Sequence, residues 1–254
     1  MYFENTSYTE NGKSLKIKDI NIETQYNALG DKQMVLHSDI IDGTITGDYS
    51  IQGFAGYITK VASAYLPAIQ PLSDSKSGVP AGKFTYDFRI KSTKHLTDIF
   101  VPSLYIEPNS TLAGEFDPEK DNVTLKSSSR LVKISGISFN SLRIDGYTEE
   151  GRFNLDLSSD VVDLYKNTRK NDTTNFRLDK FALNAVTGNN LVNLRLTWDD
   201  PEVQSHNKGN FQGIINFEDY PLIRSSLNDG DMLVNDTLWK ILPQNKILFD
   251  TTST

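Results

Sequence analysis

The residue types that most often carry chemistry are scarce and scattered in this chain. Its 254 residues include three histidines, His37, His95 and His206, and no cysteine. Each histidine is isolated from the others and flanked by residues consistent with strand, turn or loop, so an acid-base or metal role is not expected of any of them. Disulfides, thiolate metal sites and cysteine nucleophiles are excluded outright. The stretch Asp117-Pro118-Glu119-Lys120-Asp121-Asn122 has the oxygen-rich look of a calcium loop. It puts Asn122 where the turn glycine belongs and Ser128 where the bidentate Glu belongs, so a solvated hairpin tip is the expectation. Ser73-Asp74-Ser75-Lys76 has the spacing of serine acyl-transfer enzymes but none of the companion motifs. Glycine loops for phosphate are absent. Asn5, Asn109, Asn122, Asn171 and Asn235 open Asn-x-Ser/Thr triplets, which a composition this rich in those residues produces by itself. The expectation is a protein that is not an enzyme, with no catalytic residue, no metal and no cofactor.

What remains is a pattern of strands. Hydrophobic residues at 37% and 16 glycines put the chain just under the apolar share of a typical globular domain, and mean hydropathy is −0.42. A modest apolar set must then be concentrated on one face. The net charge of −7 comes with no basic block long enough to follow a phosphate backbone, so nucleic acid is not expected as a partner. No stretch reaches the 18 or so apolar residues of a membrane helix, and the start of the chain lacks a leader-like core. With its polar beginning and end, the chain is expected to be a segment of a longer protein.

Runs of four to eight alternating or β-branched residues, bounded by Asn, Asp, Gly and Ser, predict strands over 14–22, 33–39, 43–51, 83–90, 122–127, 131–139, 141–147, 152–157, 175–183 and 190–197. Four more follow over 210–217, 230–235, 237–242 and 246–250. One segment breaks the period. Phe54, Tyr57, Ile58, Val61 and Tyr65 recur at helical spacing before Pro67, so one amphipathic helix is predicted over 54–66, within a helix-plus-loop insertion over 53–82. A weaker helical turn is predicted over 95–101.

Repetition carries the most information. A pattern of four apolar residues with a three-residue step at its centre occurs as Leu15, Ile17, Ile20, Ile22; as Val132, Ile134, Ile137, Phe139; and as Phe176, Leu178, Phe181, Leu183. Alternating strands follow each copy and contribute Leu36, Leu155, Leu157, Leu194 and Leu196. A second pattern, small-x-apolar-x-Gly-x-apolar, recurs over 43–49, 110–116 and 209–215 and includes Ile45. Because strand side chains alternate, a three-residue step moves the second pair to the other face unless a residue is inserted. A bulge at Lys18-Asp19, Ser135-Gly136 and Asp179-Lys180 would keep all four on one side and bend the strand.

The segments SLKIKDINI (14–22), MVLHSDIIDGTITGDYSI (34–51), YLPAI (65–69), FRIKSTKHLTDIFVPSLYIEPNSTLAGEFDP (88–118), LVKISGISFNSLRIDGYTEEGRFNLDLSSD (131–160) and MLVNDTLWKILPQNKI (232–247) together resemble the central region of the TamB family. These are the inner-membrane subunits of the translocation and assembly module, related to AsmA-like proteins and bridge-like lipid transfer proteins. The resemblance covers most of the chain, and its motifs are strand and turn patterns. It implies a mostly β fold in which a curved antiparallel sheet forms a taco-shaped half-pipe with a hydrophobic groove. It also implies phospholipid acyl chains as ligands, assistance to outer-membrane protein assembly and secretion, and a periplasmic location in a diderm bacterium. An outer-membrane barrel partner would dock through regions outside this segment, and a missing N-terminal helix would supply the membrane anchor.

On this reading the 18 residues of the bulged strands and their followers line the groove, and the whole chain, 1–254, is one β-rich segment. The competing reading is that they fill the closed core of a β-sandwich adhesin or scaffold module that binds protein or glycan through its loops. Phe84, Tyr86 and Phe88 alternate on one strand and are expected to brace a sheet face. Trp198 and Trp239 are expected in ordinary core packing.

Overall fold

The computed structural model describes residues 2–10, 13–49, 65–66, 82–93, 97, 101, 103–165, 175–199, 207–234, 237–242 and 245–251. They form sixteen strands: β1 (Tyr2–Glu10), β2 (Lys13–Tyr26), β3 (Lys32–Ser38), β4 (Ile41–Gly47), β5 (Phe84–Ile90), β6 (Leu104–Ile106), β7 (Thr111–Asp117), β8 (Asn122–Ile134), β9 (Ile137–Glu149), β10 (Arg152–Tyr165), β11 (Asn175–Gly188), β12 (Leu191–Asp199), β13 (Asn207–Asn216), β14 (Leu222–Val234), β15 (Thr237–Ile241) and β16 (Asn245–Asp250). All belong to one antiparallel sheet that does not close into a barrel. Fourteen follow one another as neighbours in chain order, with β6 beside β8 and β16 beside β14. The predicted helix over 54–66 lies outside the described residues except for Tyr65 and Leu66, and no helical element occurs among the described residues. The turn predicted over 95–101 lies largely outside them too. Two i to i−4 bonds fall there, Thr97 N to Thr93 O at 2.8 Å and Val101 N to Thr97 O at 2.9 Å.

Tight turns set the register. Ser135-Gly136, Glu150-Gly151 and Asn189-Asn190 all have both residues at positive φ, between 49° and 84°. This is the conformation whose twist matches two-residue hairpins. The first of these corrects the sequence reading: 131–139 is not one bulged strand but two strands meeting at Ser135-Gly136. Ile134 and Ile137 face each other across the turn. The strand predicted over 43–51 also ends earlier, at Gly47, whose φ of 120° stops it.

The three-residue step is nonetheless real and more extensive than the repeat indicated. In β8 the apolar phase runs Val123, Leu125 and resumes at Val132; in β9 it passes from Phe139 to Leu142; in β10 from Leu157 and Ser159 to Val162; in β11 from Leu178 to Phe181. The steps are aligned. Pairing skips Arg130 and Ser141 between β8 and β9, and Asp160 and Lys180 between β10 and β11, yet keeps the same register on either side. A similar skip falls at Asn5 and Lys18 between β1 and β2. We call this line of skipped pairs the seam.

Two local devices make the seam. Ser141 and Lys180, on strands running the same way, adopt φ of 55° and 48°, which inserts the extra residue. On the intervening strands a buried serine takes over a carbonyl that leaves the ladder. Ser129 Oγ donates to Leu131 O at 3.0 Å, and Ser159 Oγ to Val161 O at 2.9 Å and Asn140 O at 2.6 Å. Ser110 Oγ donates to Ser129 Oγ at 2.6 Å, and Ser38 Oγ to Ile41 O at 2.8 Å where β3 gives way to β4. A buried carbonyl without a partner costs about 1–3 kcal/mol, which is why serines occupy these otherwise apolar positions.

Candidate functional site

The candidate site is the face that these strands share. Cross-strand register aligns Ile22, Leu36, Gly43, Phe88, Leu112, Ser127, Ile144, Leu157, Leu183, Leu196, Phe211, Gly230 and Ile241 in one row from β2 to β15. Every member is apolar, glycine or serine. The next row is Met34, Ile45, Tyr86, Gly114, Leu125, Gly146, Leu155, Ala185, Leu194, Gly213 and Leu227. One position along, on the opposite face, the row reads Glu23, Val35, Thr44, Asp87, Ala113, Lys126, Asp145, Asp156, Asn184, Arg195 and Gln212. The sheet is amphipathic across its whole width.

Glycines let rings lie flat on this face. A Cβ on Gly43 would collide with the Phe88 ring and Asp87 O, one on Gly114 with Thr124 O and Tyr86 Oη, and one on Gly209 with the Trp198 ring. In each case the aromatic stands directly opposite the glycine on the neighbouring strand, so each copy of the recurring small-x-apolar-x-Gly pattern supplies one glycine under a ring, at its first position for Gly43 and Gly209 and at its fifth for Gly114. The rings also meet each other: Phe84 and Phe116 at 5.4 Å, Tyr86 and Phe88 at 6.2 Å, Trp198 and Phe211 at 5.3 Å. Tyr86 Oη donates to Thr124 O at 3.1 Å, and burial pushes the Tyr86 phenol above its usual range.

Two clusters anchor the face. One joins Ile45, Tyr49, Phe84 and Phe116; the other joins Val162, Leu178, Phe181 and Trp198. The second includes residues from both sides of the seam, as a step that keeps one face requires. Of the groove candidates, Ile45 belongs to the first cluster. Ile137, Phe139, Leu157, Phe176, Leu178, Phe181, Leu183 and Leu196 belong to the second. Ile20, Ile22, Leu36, Leu155 and Leu194 lie in phase on the same face outside the clusters. Ile17 and Val132 lie beyond the seam, Ile134 is 38% exposed, and Leu15 is described only by its place in β2. The sequence reading expected Phe88 to brace a sheet face but left it out of the groove set, and it missed Leu112, Leu142, Ile144, Val162, Phe211 and the seam serines. Their signal was present as in-phase alternation, but Ser127 and Ser129 disguised it as polar sequence.

Tyr65 belongs to this site too. Its hydroxyl shares a 2.7 Å hydrogen bond with Thr148 Oγ1, its ring is 5.6 Å from that of Phe153, and it is 7% exposed. Thr148 and Phe153 lie where the apolar face meets the turns at one end. Trp239 is not core as expected; it is 57% exposed on an edge strand.

Among the described residues no large side chain is fully enclosed, and most members of the face are half-buried. No group of three His, Asp or Glu side chains among the described residues is placed to hold a metal ion, and no described helix is long and apolar enough to cross a membrane. No protein-family model, curated protein or solved structure matches the chain.

Proposed function

We propose that this chain is a non-enzymatic segment of a TamB-like cell-envelope protein, in which the apolar sheet face shields phospholipid acyl chains on their way between membranes. The observation that carries the reading is the thirteen-strand row of apolar and small residues, backed by a charged row on the reverse. The aligned seam supports curvature: inserting a residue into neighbouring strands at one level bends them together, giving a half-pipe with the apolar face inside. Fourteen neighbouring strands at about 4.8 Å each make a floor of about 60 Å. Each CH2 shielded there gains about 0.8 kcal/mol, so a lipid can slide without any single tight pocket. The periplasmic setting, the membrane anchor, assistance to outer-membrane protein assembly and the barrel partner follow from the family resemblance alone and belong to regions outside this segment.

The β-sandwich adhesin alternative needs two face-packed sheets with a filled interior, and the single sheet of the described strands favours the open arrangement. Native mass spectrometry of the purified protein should reveal bound phospholipid, and Leu155→Asp, in the middle of the second row, should remove it while the protein stays folded. A folded, delipidated wild type that takes up no phospholipid from vesicles would overturn the proposal.

A further inference from the structure

We infer that the cavity at the turn end of β3, β4 and β5 binds a zwitterionic headgroup, a phosphate joined to an ammonium. This rests on the acyl-shielding reading and adds to it a chemical class of lipid. The cavity measures about 700 Å³, within the range of small-molecule sites. Tyr26, Lys32, Asp48, Lys83, Phe84 and Glu119 line it, so both signs of charge are present. The two lysines differ. Lys83 is held by Glu115 at 2.9 Å and Asp117 at 3.8 Å, and the hydrogen bond to Glu115 raises its pKa. Lys32 has no carboxylate within ion-pair distance among the described residues, and its ammonium lies 4.5 Å above the Tyr49 ring. It is the cation free to take a phosphate. Asp48 and Glu119 likewise make no ion pair among the described residues, and with the Tyr26 ring they suit an ammonium.

Phe84 ties this charged cavity to the apolar face. It lines the cavity, is 3% exposed, and starts the ladder Phe84, Tyr86, Phe88 that descends β5 with ring centroids 6.5 and 6.2 Å apart. A lipid with its headgroup in the cavity would run its chains down that ladder. An anionic headgroup would satisfy Lys32 but would bring its second anionic or hydroxyl end against Asp31, Asp48 and Glu119, leaving the carboxylates uncompensated.

The test uses four probes on the purified chain at low salt: dihexanoylphosphatidylcholine, dihexanoylphosphatidylglycerol, phosphocholine, and uncharged pyrene as a reporter of the apolar face. The choline lipid should bind at least tenfold tighter than the glycerol lipid. Lys32→Gln and Asp48→Asn should each weaken it at least fivefold and leave pyrene uptake unchanged. Equal binding of the two lipids, or choline-lipid binding indifferent to both substitutions while pyrene still binds, overturns the headgroup site. Pyrene failing to bind overturns the acyl-shielding reading instead. Phosphocholine binding as tightly as the choline lipid, with the same sensitivity to Lys32→Gln, supports the site and identifies a soluble phosphate–ammonium compound as its ligand.

Discussion

The seam is crossed differently in two regions. In β8 to β11 four strands of 13 or 14 residues run straight through it, and each handles the step with a left-handed residue or a buried serine. In the β3 to β7 region the chain breaks there. β3 stops at Ser38, β5 stops at Ile90, and residues 107–110 separate β6 from β7. Ordinary main-chain bonds close those breaks, Lys91 N to Ile40 O at 2.7 Å and Glu107 N to Leu131 O at 3.0 Å. The faces differ to match. The broken region fills its face with aromatic rings over glycines, whereas the continuous region relies mainly on aliphatic residues joined by Phe139, Phe176 and Phe181. An alignment across many strands can thus be met by loops or by bulges, and packing follows the choice.

The largest effect expected from breaking this contrast is at the glycines. Gly114→Ala should destabilise by about 2–3 kcal/mol, because its new Cβ meets backbone at Thr124 O. Gly146→Ala in the continuous region meets only the tip of the Phe153 ring at 2.8 Å and Leu125 Cβ at 3.4 Å, and should cost under about 1 kcal/mol because the ring can turn aside. Urea unfolding of the pair measures this, and equal costs would remove the distinction.

Next in size is Ser159→Ala. It takes the hydroxyl donor from Asn140 O and leaves Val161 O only the 3.4 Å bond from Asn140 Nδ2, at a position 3% exposed, for a loss of about 1–2 kcal/mol. Unchanged stability would mean that the serine row does not hold the seam.

Lys180→Gly tests the same line in the other direction. Relief of the left-handed strain at φ 48° outweighs glycine's added chain entropy, so stability should rise by up to about 1 kcal/mol. A loss would assign Lys180 a contact beyond its backbone role.

The smallest effect belongs to Asp42, beside the break between β3 and β4. Burial works to raise its carboxyl, but the Lys91 ammonium at 2.7 Å and the Ser38 amide hold it below the usual carboxylate range. A lowered folded-state value means that this contribution is present above the unfolded pKa and is lost as pH falls through the folded one. Acid unfolding followed from pH 6 to pH 2 should therefore be slightly less steep in Asp42→Asn, and an identical profile would discount the pair.

Strand content was legible because alternation is a local property. Thr85, Asp87 and Arg89 between Phe84, Tyr86, Phe88 and Ile90 leave no other reading. The step from Leu178 to Phe181 was legible for the same reason. Ile134 to Ile137 gives the same spacing from a different cause, since a two-residue hairpin and a bulge both shift phase by one, and only Ser135-Gly136 at the turn separates them. The serines were not legible because a polar residue in phase with an apolar face has value only when a specific carbonyl needs it.

The sequence by itself therefore determined an amphipathic β chain, since composition and period-2 alternation depend on nothing beyond neighbouring residues. The tertiary structure decided that the steps align into one seam, that rings sit on glycines of the neighbouring strand, and that Lys32, Asp48 and Glu119 share one cavity with Phe84. Those relations depend on register between strands, and register is fixed by which faces bury together and which turns join them, information that no single stretch of chain contains.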